Sequence, residues 1–219
     1  GSVPTLRDFH AELLRQPEPE ARDVALAIEL FTEGSLNTFA KPTNVDTNSR
    51  ILCYDIRDLG KQLLPVGMLV VLDSVFNRII RNRRLGRSTW VYIDEIYLLF
   101  QHEYSANFLF TLWKRVRKYG ACCTGLTQNV DDLLQSHTAR TMLANSEFLV
   151  MLNQASTDRA ELARLLNISD NQLSYITNVD FGRGLIKCGS AIVPFMDHFP
   201  KNNLYRLMST KPSEADAAV

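Results

Sequence analysis

Asp94 and Glu95 have the clearest chemical potential in this sequence. They are adjacent carboxylates closing the apolar, β-prone run Trp90-Val91-Tyr92-Ile93. Acids placed at such a strand end serve magnesium–nucleotide chemistry in the Walker B arrangement. The first holds the metal through water and the second polarises the water that attacks a γ-phosphate. On that reading Asp94 is the metal-side acid and Glu95 the base. The plainer alternative is that acids mark strand ends because loops are solvated. The other half of a phosphate site does not occur in the chain. A P-loop requires G-x-x-x-x-G-K-[ST], and Gly60-Lys61 has Asp55 where the first glycine should stand and Gln62 where the hydroxyl should be. The chain therefore reads as the downstream part of an ATPase, separated from its phosphate-binding loop.

A second apolar run, Ala121 to Leu126, closes in Thr127-Gln128. When two consecutive parallel strands are joined by a right-handed crossover helix, their carboxyl ends fall on one edge, and ligands bind in the crevice there. Asp94-Glu95 and Thr127-Gln128 are expected to share that crevice. Gln128, both donor and acceptor, suits sensing a γ-phosphate or orienting the attacking water; capping the following turn is the alternative. The segment from Trp113 to Gly120 carries Lys114, Arg115, Arg117 and Lys118. A helix dipole favours cations at that end. Arg115 or Arg117 could equally reach a nucleotide held by a neighbouring subunit, as an arginine finger does. The denser cluster Arg78, Arg81, Arg83, Arg84 and Arg87 is either a phosphate or acidic-partner contact or a charged helix end with an exposed loop.

The elements that must position these residues follow from periodicity. Thr5 and Asp8 make a capping box, and Pro17 and Pro19 interrupt the first helix. Val24, Ala27, Ile28 and Phe31 recur at helical spacing until Gly34, so a small helical subdomain is expected over residues 1–45. From Ile51 the pattern becomes strands alternating with helices, beginning with a strand over 51–56, which indicates an α/β core over 46–209. A long apolar helix through Leu69 to Ile80 follows, then the acid-ending strand, a helix over about 105–118, a strand over 121–126 and a helix over about 131–145. A strand over 148–152 and helices around Leu162 and Leu173 come next. Gly184 to Cys188 and Ala191 to Phe195 read as hairpin arms joined by Gly189-Ser190. Residues 210–219 read as a flexible tail.

Composition sets the remaining bounds. Across 219 residues, 46% apolar and 22% charged content is that of a globular protein with a sizeable core. Twenty-four basic residues balance 24 acidic ones, so only local clusters can argue for a nucleic-acid or membrane partner. The longest apolar run, Leu63 to Leu72, is interrupted by Pro65 and Gly67 and falls short of the ~20 residues of a bilayer span, so no transmembrane segment is expected. Cys53, Cys122, Cys123 and Cys188 lie in apolar runs without C-x-x-C spacing, which predicts reduced, buried thiols. His10, His102, His137 and His198 show no metal-ligand spacing. Gly1-Ser2, without an initiator Met, reads as a cloning remnant.

Taken as whole strings, TNVDTNSRILCYDIRDLGKQL, the long run from Trp90 to Ser156 and GRGLIKCGSAIVPF resemble the C-terminal ATPase domain of conjugative-transfer and type IV secretion ATPases. These are FtsK/HerA-like, RecA-type motors, and the likeness is to forms carried on Gram-positive conjugative elements. The resemblance implies a RecA-like layered core without its Walker A strand, plus part of an all-α subdomain. It implies a cytoplasmic motor, peripheral to the inner face of the membrane, hexameric when active and docked on secretion-channel components. Such a motor hydrolyses Mg-ATP to drive conjugative transfer or secretion. By position, Asp94 and Glu95 match the Walker B acids and Lys114 to Gly120 the arginine-bearing motif. Thr127-Gln128 match the sensor, and Gly182-Arg183-Gly184 a glycine motif beside the nucleotide. In the family the Walker A loop lies upstream of this segment, so the segment alone is expected to be inactive. Its exposed sheet edges are expected to favour self-association. A HerA-type or coupling-protein DNA translocase, with direct DNA contact, and a non-catalytic assembly platform are the competing readings.

Overall fold

A computed structural model describes residues 3–128, 130–154 and 156–209, without the side chains of 156–158. Gly1-Ser2 and residues 210–219, for which a cloning remnant and a flexible tail are expected, lie outside the described residues. The chain divides into two compact units, Gly1–Arg87 and Ser88–Val219.

In the first unit, helix α1 (Leu6–Leu13) opens with the expected capping box. Asp8 Oδ2 accepts from the Thr5 backbone N–H at 2.6 Å, while Thr5 Oγ1 accepts from Asp8 N–H at 3.4 Å. Hydrogen bonds donated to Asp8 Oδ2 by the Thr5 backbone N–H and, secondarily, the Thr5 hydroxyl hold the Asp8 carboxyl below its ordinary value. Helix α2 (Pro19–Thr32) starts on proline, whose missing N–H costs nothing in a first turn. Its inner face differs from the expected one. Ala25 and Thr32 are buried and Val24 is exposed, because small side chains let α1 and α2 pack closely. Thr32 is tolerated there because its hydroxyl donates to the carbonyls of Ile28 and Glu29. Arg7 Nε ties α1 to the end of α2, donating to Thr32 O at 3.1 Å.

Residues 51–56 form no strand ladder, contrary to expectation. Backbone N–H and C=O groups of a strand need a neighbouring strand, and the described part of this unit is otherwise helical. Helix α3 (Gly60–Arg84) runs straight through Pro65 and Gly67. A Cβ on Gly67 would fall 2.2 Å from Leu59 Cδ1, so that side chain would have to shift. The helical stretch Arg57–Arg84 is long and apolar enough to cross a membrane by length and composition alone, a test that core helices of soluble proteins also pass. The expectation of no such segment rested on an apolar run that the proline and glycine seemed to interrupt; the helix does not stop at either. Part of the basic cluster has a local role. Arg78 donates to Thr47 O and, at 2.7 Å, to Ser49 O, and Arg81 donates to Asn48 Oδ1 at 3.0 Å, so both arginines hold the polar linker on α3.

The second unit is α/β. Strand β1 (Thr89–Ile93) leads through a 3-10 turn (Ile96–Phe100) into helix α4 (Glu103–Arg115), whose buried residues Ser105, Ala106, Leu109 and Leu112 form one stripe. Strand β2 (Ala121–Gly125) runs parallel to β1, with Thr89 opposite Ala121 and Ile93 opposite Gly125. The single helix expected next is broken into α5 (Val130–Gln135) and α6 (His137–Ala144), because Ser136 caps α6 by accepting from Ala139 N–H. Strand β3 (Phe148–Met151) follows, then α7 (Ser156–Leu166) and α8 (Asp170–Leu173). The hairpin of β4 (Arg183–Cys188) and β5 (Ala191–Met196) forms as expected, turning at Gly189 with φ +58°. Helix α9 (Asn203–Met208) completes the described chain. Strands β3, β4 and β5 make a second, antiparallel sheet. Its core joins Leu134, Met151, Leu162, Leu166, Ile176 and Leu185.

The thiols differ from expectation. Cys53, Cys122 and Cys188 are exposed: Cys53 lies in the segment without a strand ladder, and Cys122 and Cys188 lie on the open faces of their sheets, since adjacent strand residues face opposite sides. Cys123 points the other way, and burial, with a smaller contribution from Cys122, pushes its thiol up to about 12.

Candidate functional site

β1 consists of β-branched and aromatic residues, and its parallel pairing with β2 puts the residues that follow each strand on a common edge. The chain then leaves both strands through a shared hydrogen-bonded bridge. Leu126 N–H donates to Ile93 O at 2.8 Å and Ile96 N–H donates to Leu126 O at 2.9 Å. Asp94 and Glu95 form the turn held between those two bonds, and Thr127 and Gln128 follow immediately on the neighbouring strand. The four residues expected to share a crevice therefore follow the carboxyl ends of two paired strands.

Within the turn the two acids are in unlike states. Asp94 is exposed, with Oδ1 accepting from the Glu95 N–H at 3.0 Å. Glu95 is half-buried and adopts a left-handed conformation, φ +46° and ψ +47°, which costs free energy for a residue with a Cβ. Its carbonyl accepts from Leu98 N–H at 3.0 Å and so starts the 3-10 turn. Its Oε2 is buried and has no hydrogen-bond partner among the described residues. A buried carboxylate oxygen without a donor is costly. A strained backbone beneath an unsatisfied acid is the combination found where a group is held for a ligand or a reaction.

The other candidates are dispersed. Arg115 ends α4 and Arg117 lies in the 3-10 turn Val116–Tyr119; both are exposed. That turn leads through Gly120, whose carbonyl accepts from Thr89 N–H, so the two arginines stand at the amino edge of the β1–β2 sheet. Glu95 is at the carboxyl edge, a strand length away, roughly 15 Å at ~3.3 Å per residue. Lys114 stacks its ammonium on the Phe110 ring, 4.0 Å from its centroid. Gly182, Arg183 and Gly184 belong to the second sheet. There the glycines have a local reason: a Cβ on Gly182, which has φ +78°, would meet Asp197 O at 2.4 Å, and one on Gly184 would meet Met151 O at 2.2 Å. Arg183 faces Asp180 at 3.6 Å. Sequence reasoning passed over Ile96 and Leu126, whose backbone groups close the bridge; only a β1–β2 pairing in register would have pointed to them.

Comparison with known proteins agrees with this architecture. The family model described as the TraG P-loop domain matches residues 41–183, more than half of the chain. The solved structure of VirB4 of Thermoanaerobacter pseudethanolicus superimposes with a TM-score of 0.74 at 23% identity, over 91% of this chain and 55% of that one. The chain thus spans about half the length of that relative, and the likeness is one of fold. No curated protein matches the chain.

Proposed function

Because the chain belongs to the TraG P-loop domain family, we propose that it is the part of an ATP-driven conjugation or type IV secretion motor that carries the hydrolytic acids, built on a RecA-like sheet. The observation that carries this reading is Glu95, held in a left-handed turn at the carboxyl edge of β1 with Oε2 buried and without a partner among the described residues. An exposed carboxylate beside an orphaned buried one fits a magnesium nucleotide, since magnesium is commonly held by one or two carboxylates together with phosphates. Mg-ATP, when bound, would supply the electrophilic γ-phosphate and the cation that neutralises its charge.

Asp94, open to solvent, would hold the metal through water. Glu95 would take the proton of the attacking water; Oε2 lacks a competing donor and is available to it. Thr127 and Gln128, on the same edge, would orient that water and sense the γ-phosphate. Gly182, Arg183 and Gly184 would contribute from the second sheet. Arg115 and Arg117, at the opposite edge, suit a nucleotide held by another subunit, which favours a ring of copies, a hexamer in the intact protein. The P-loop motif, not found in residues 1–219, would come from sequence outside them. The motor would act in the cytoplasm at the inner face of the membrane, against components of the secretion channel.

The test is steady-state Mg-ATP hydrolysis by the full-length protein and by its Glu95→Gln variant. Removing a general base costs about 10²–10⁴-fold, so turnover should fall by that amount while nucleotide binding persists. Equal turnover in both would refute the assignment.

A further inference from the structure

We propose that Gly125 is a positioning residue for Glu95: its lack of a side chain lets Ile96 wedge against β2 and thereby holds the left-handed turn that aims the carboxylate. The inference rests on the reading of Glu95 as the hydrolytic base. Gly125 is the last residue of β2 and pairs with Ile93, the last residue of β1. A Cβ built on it would lie 2.5 Å from Ile96 Cδ1, 3.2 Å from Cγ2 and 3.4 Å from Cβ. Ile96 is 5% exposed, so its side chain has little room to swing aside. The same residue carries the N–H that bonds to Leu126 O. Ile96 is therefore fixed twice against the end of β2, by backbone and by side chain, and Glu95 is the residue immediately before it.

Strain at Glu95 persists only while its surroundings over-determine it. Between Ile93, bonded to Leu126, and Ile96, bonded to the same residue, the chain has two residues in which to reverse. Glu95 takes the positive φ. Conformation at Gly125 itself is ordinary and needs no glycine, since its φ is not in the left-handed region. The requirement is space, which is the role of a strand glycine where another part of the chain approaches closely. Adding a methyl group would push Ile96 outward, lengthen the bridge and release the turn at Glu95.

The experiment compares the full-length protein with Gly125→Ala and with the double variant Gly125→Ala/Ile96→Val, which removes the Cδ1 atom nearest the added methyl. Misplacing a reacting group by an ångström can cost about 10²-fold. Gly125→Ala should therefore lower kcat about 10- to 100-fold with KM for ATP nearly unchanged, and the double variant should recover most of the loss. Should Gly125→Ala not fold, Ile96→Ala, which removes the wedge from the other side, should give the same kcat loss at constant KM. A wild-type kcat in Gly125→Ala, or in Ile96→Ala if that variant is needed, would overturn the proposal. So would a double variant no better than the single one. Failure of the underlying reading is separate: Glu95→Gln would then turn over normally whatever Gly125 does.

Discussion

Glu95 and Cys123 show how one strand position changes a side chain's chemistry. Glu95 keeps a buried oxygen without a donor among the described residues, and the role of base proposed for it would depend on a turn two residues long. Cys123 is a thiol made inert by burial: pushed up to about 12, it stays protonated at neutral pH and is a poor nucleophile. Maleimide labelling at pH 8 should modify Cys53, Cys122 and Cys188 well before Cys123, and rapid labelling of all four would contradict its placement. The same thiol gives a pH dependence. A folded-state value raised from 9.0 to about 12 means the folded form binds the proton more tightly. Its contribution to stability is complete below pH 9 and is lost as pH rises through 12. Chemical denaturation across that range should show stability falling, with the fall reduced in Cys123→Ala.

The elements divide between those that hold the site and those that hold the unit together. β1 and β2 put two pairs of polar residues on one edge, which follows from parallel pairing and needs no particular side chain. The glycine of β4 belongs to the packing of the second sheet. Gly184 abuts the Met151 carbonyl, and a methyl group there would force strands β3 and β4 apart. Overpacking of this kind typically costs about 1–3 kcal/mol. Gly184→Ala should lower the melting temperature of the chain with or without nucleotide. A variant that melts normally but loses only nucleotide affinity would assign Gly184 to the ligand instead. The arginines of α3 likewise have a structural use, since Arg78 and Arg81 are bonded to residues 47–49.

At the level of the molecule, the open sheet faces matter most. Parallel strands are normally covered on both sides, yet Trp90 and Tyr92 on β1 are 65% and 66% exposed; on the antiparallel sheet, Phe148 and Val150 of β3 put large apolar side chains on the open face, 66% and 61% exposed. Surfaces of that kind associate. The 219-residue chain should self-associate with rising concentration, as followed by light scattering, and lysine in place of Trp90 and Tyr92 should reduce it. A monomer at high concentration would show that these faces are tolerated in water. Direct DNA contact has a separate signature, binding that weakens steeply with salt. The resemblance noted in the sequence and the family match at residues 41–183 lead to the same class of protein.

Much of this could be read before any coordinates. Alternation of apolar runs with helical spacing marked the α/β class, the capping box at Thr5, the hairpin at Gly189 and the two strands whose ends carry Asp94-Glu95 and Thr127-Gln128. Those features are local: a period, a cap or a turn depends on residues a few positions apart. Packing settled the rest. A strand over 51–56 needed a partner that the described residues of its unit do not offer, and α2 turned Ala25 and Thr32 inward because α1 lies close. The left-handed Glu95, with its buried oxygen, directly precedes Ile96, which meets Gly125 across the sheet, 29 positions further along the chain. No local pattern encodes such a contact; it arises only when β1 and β2 pair in register, and steric exclusion at that junction then sets the backbone of the residue between.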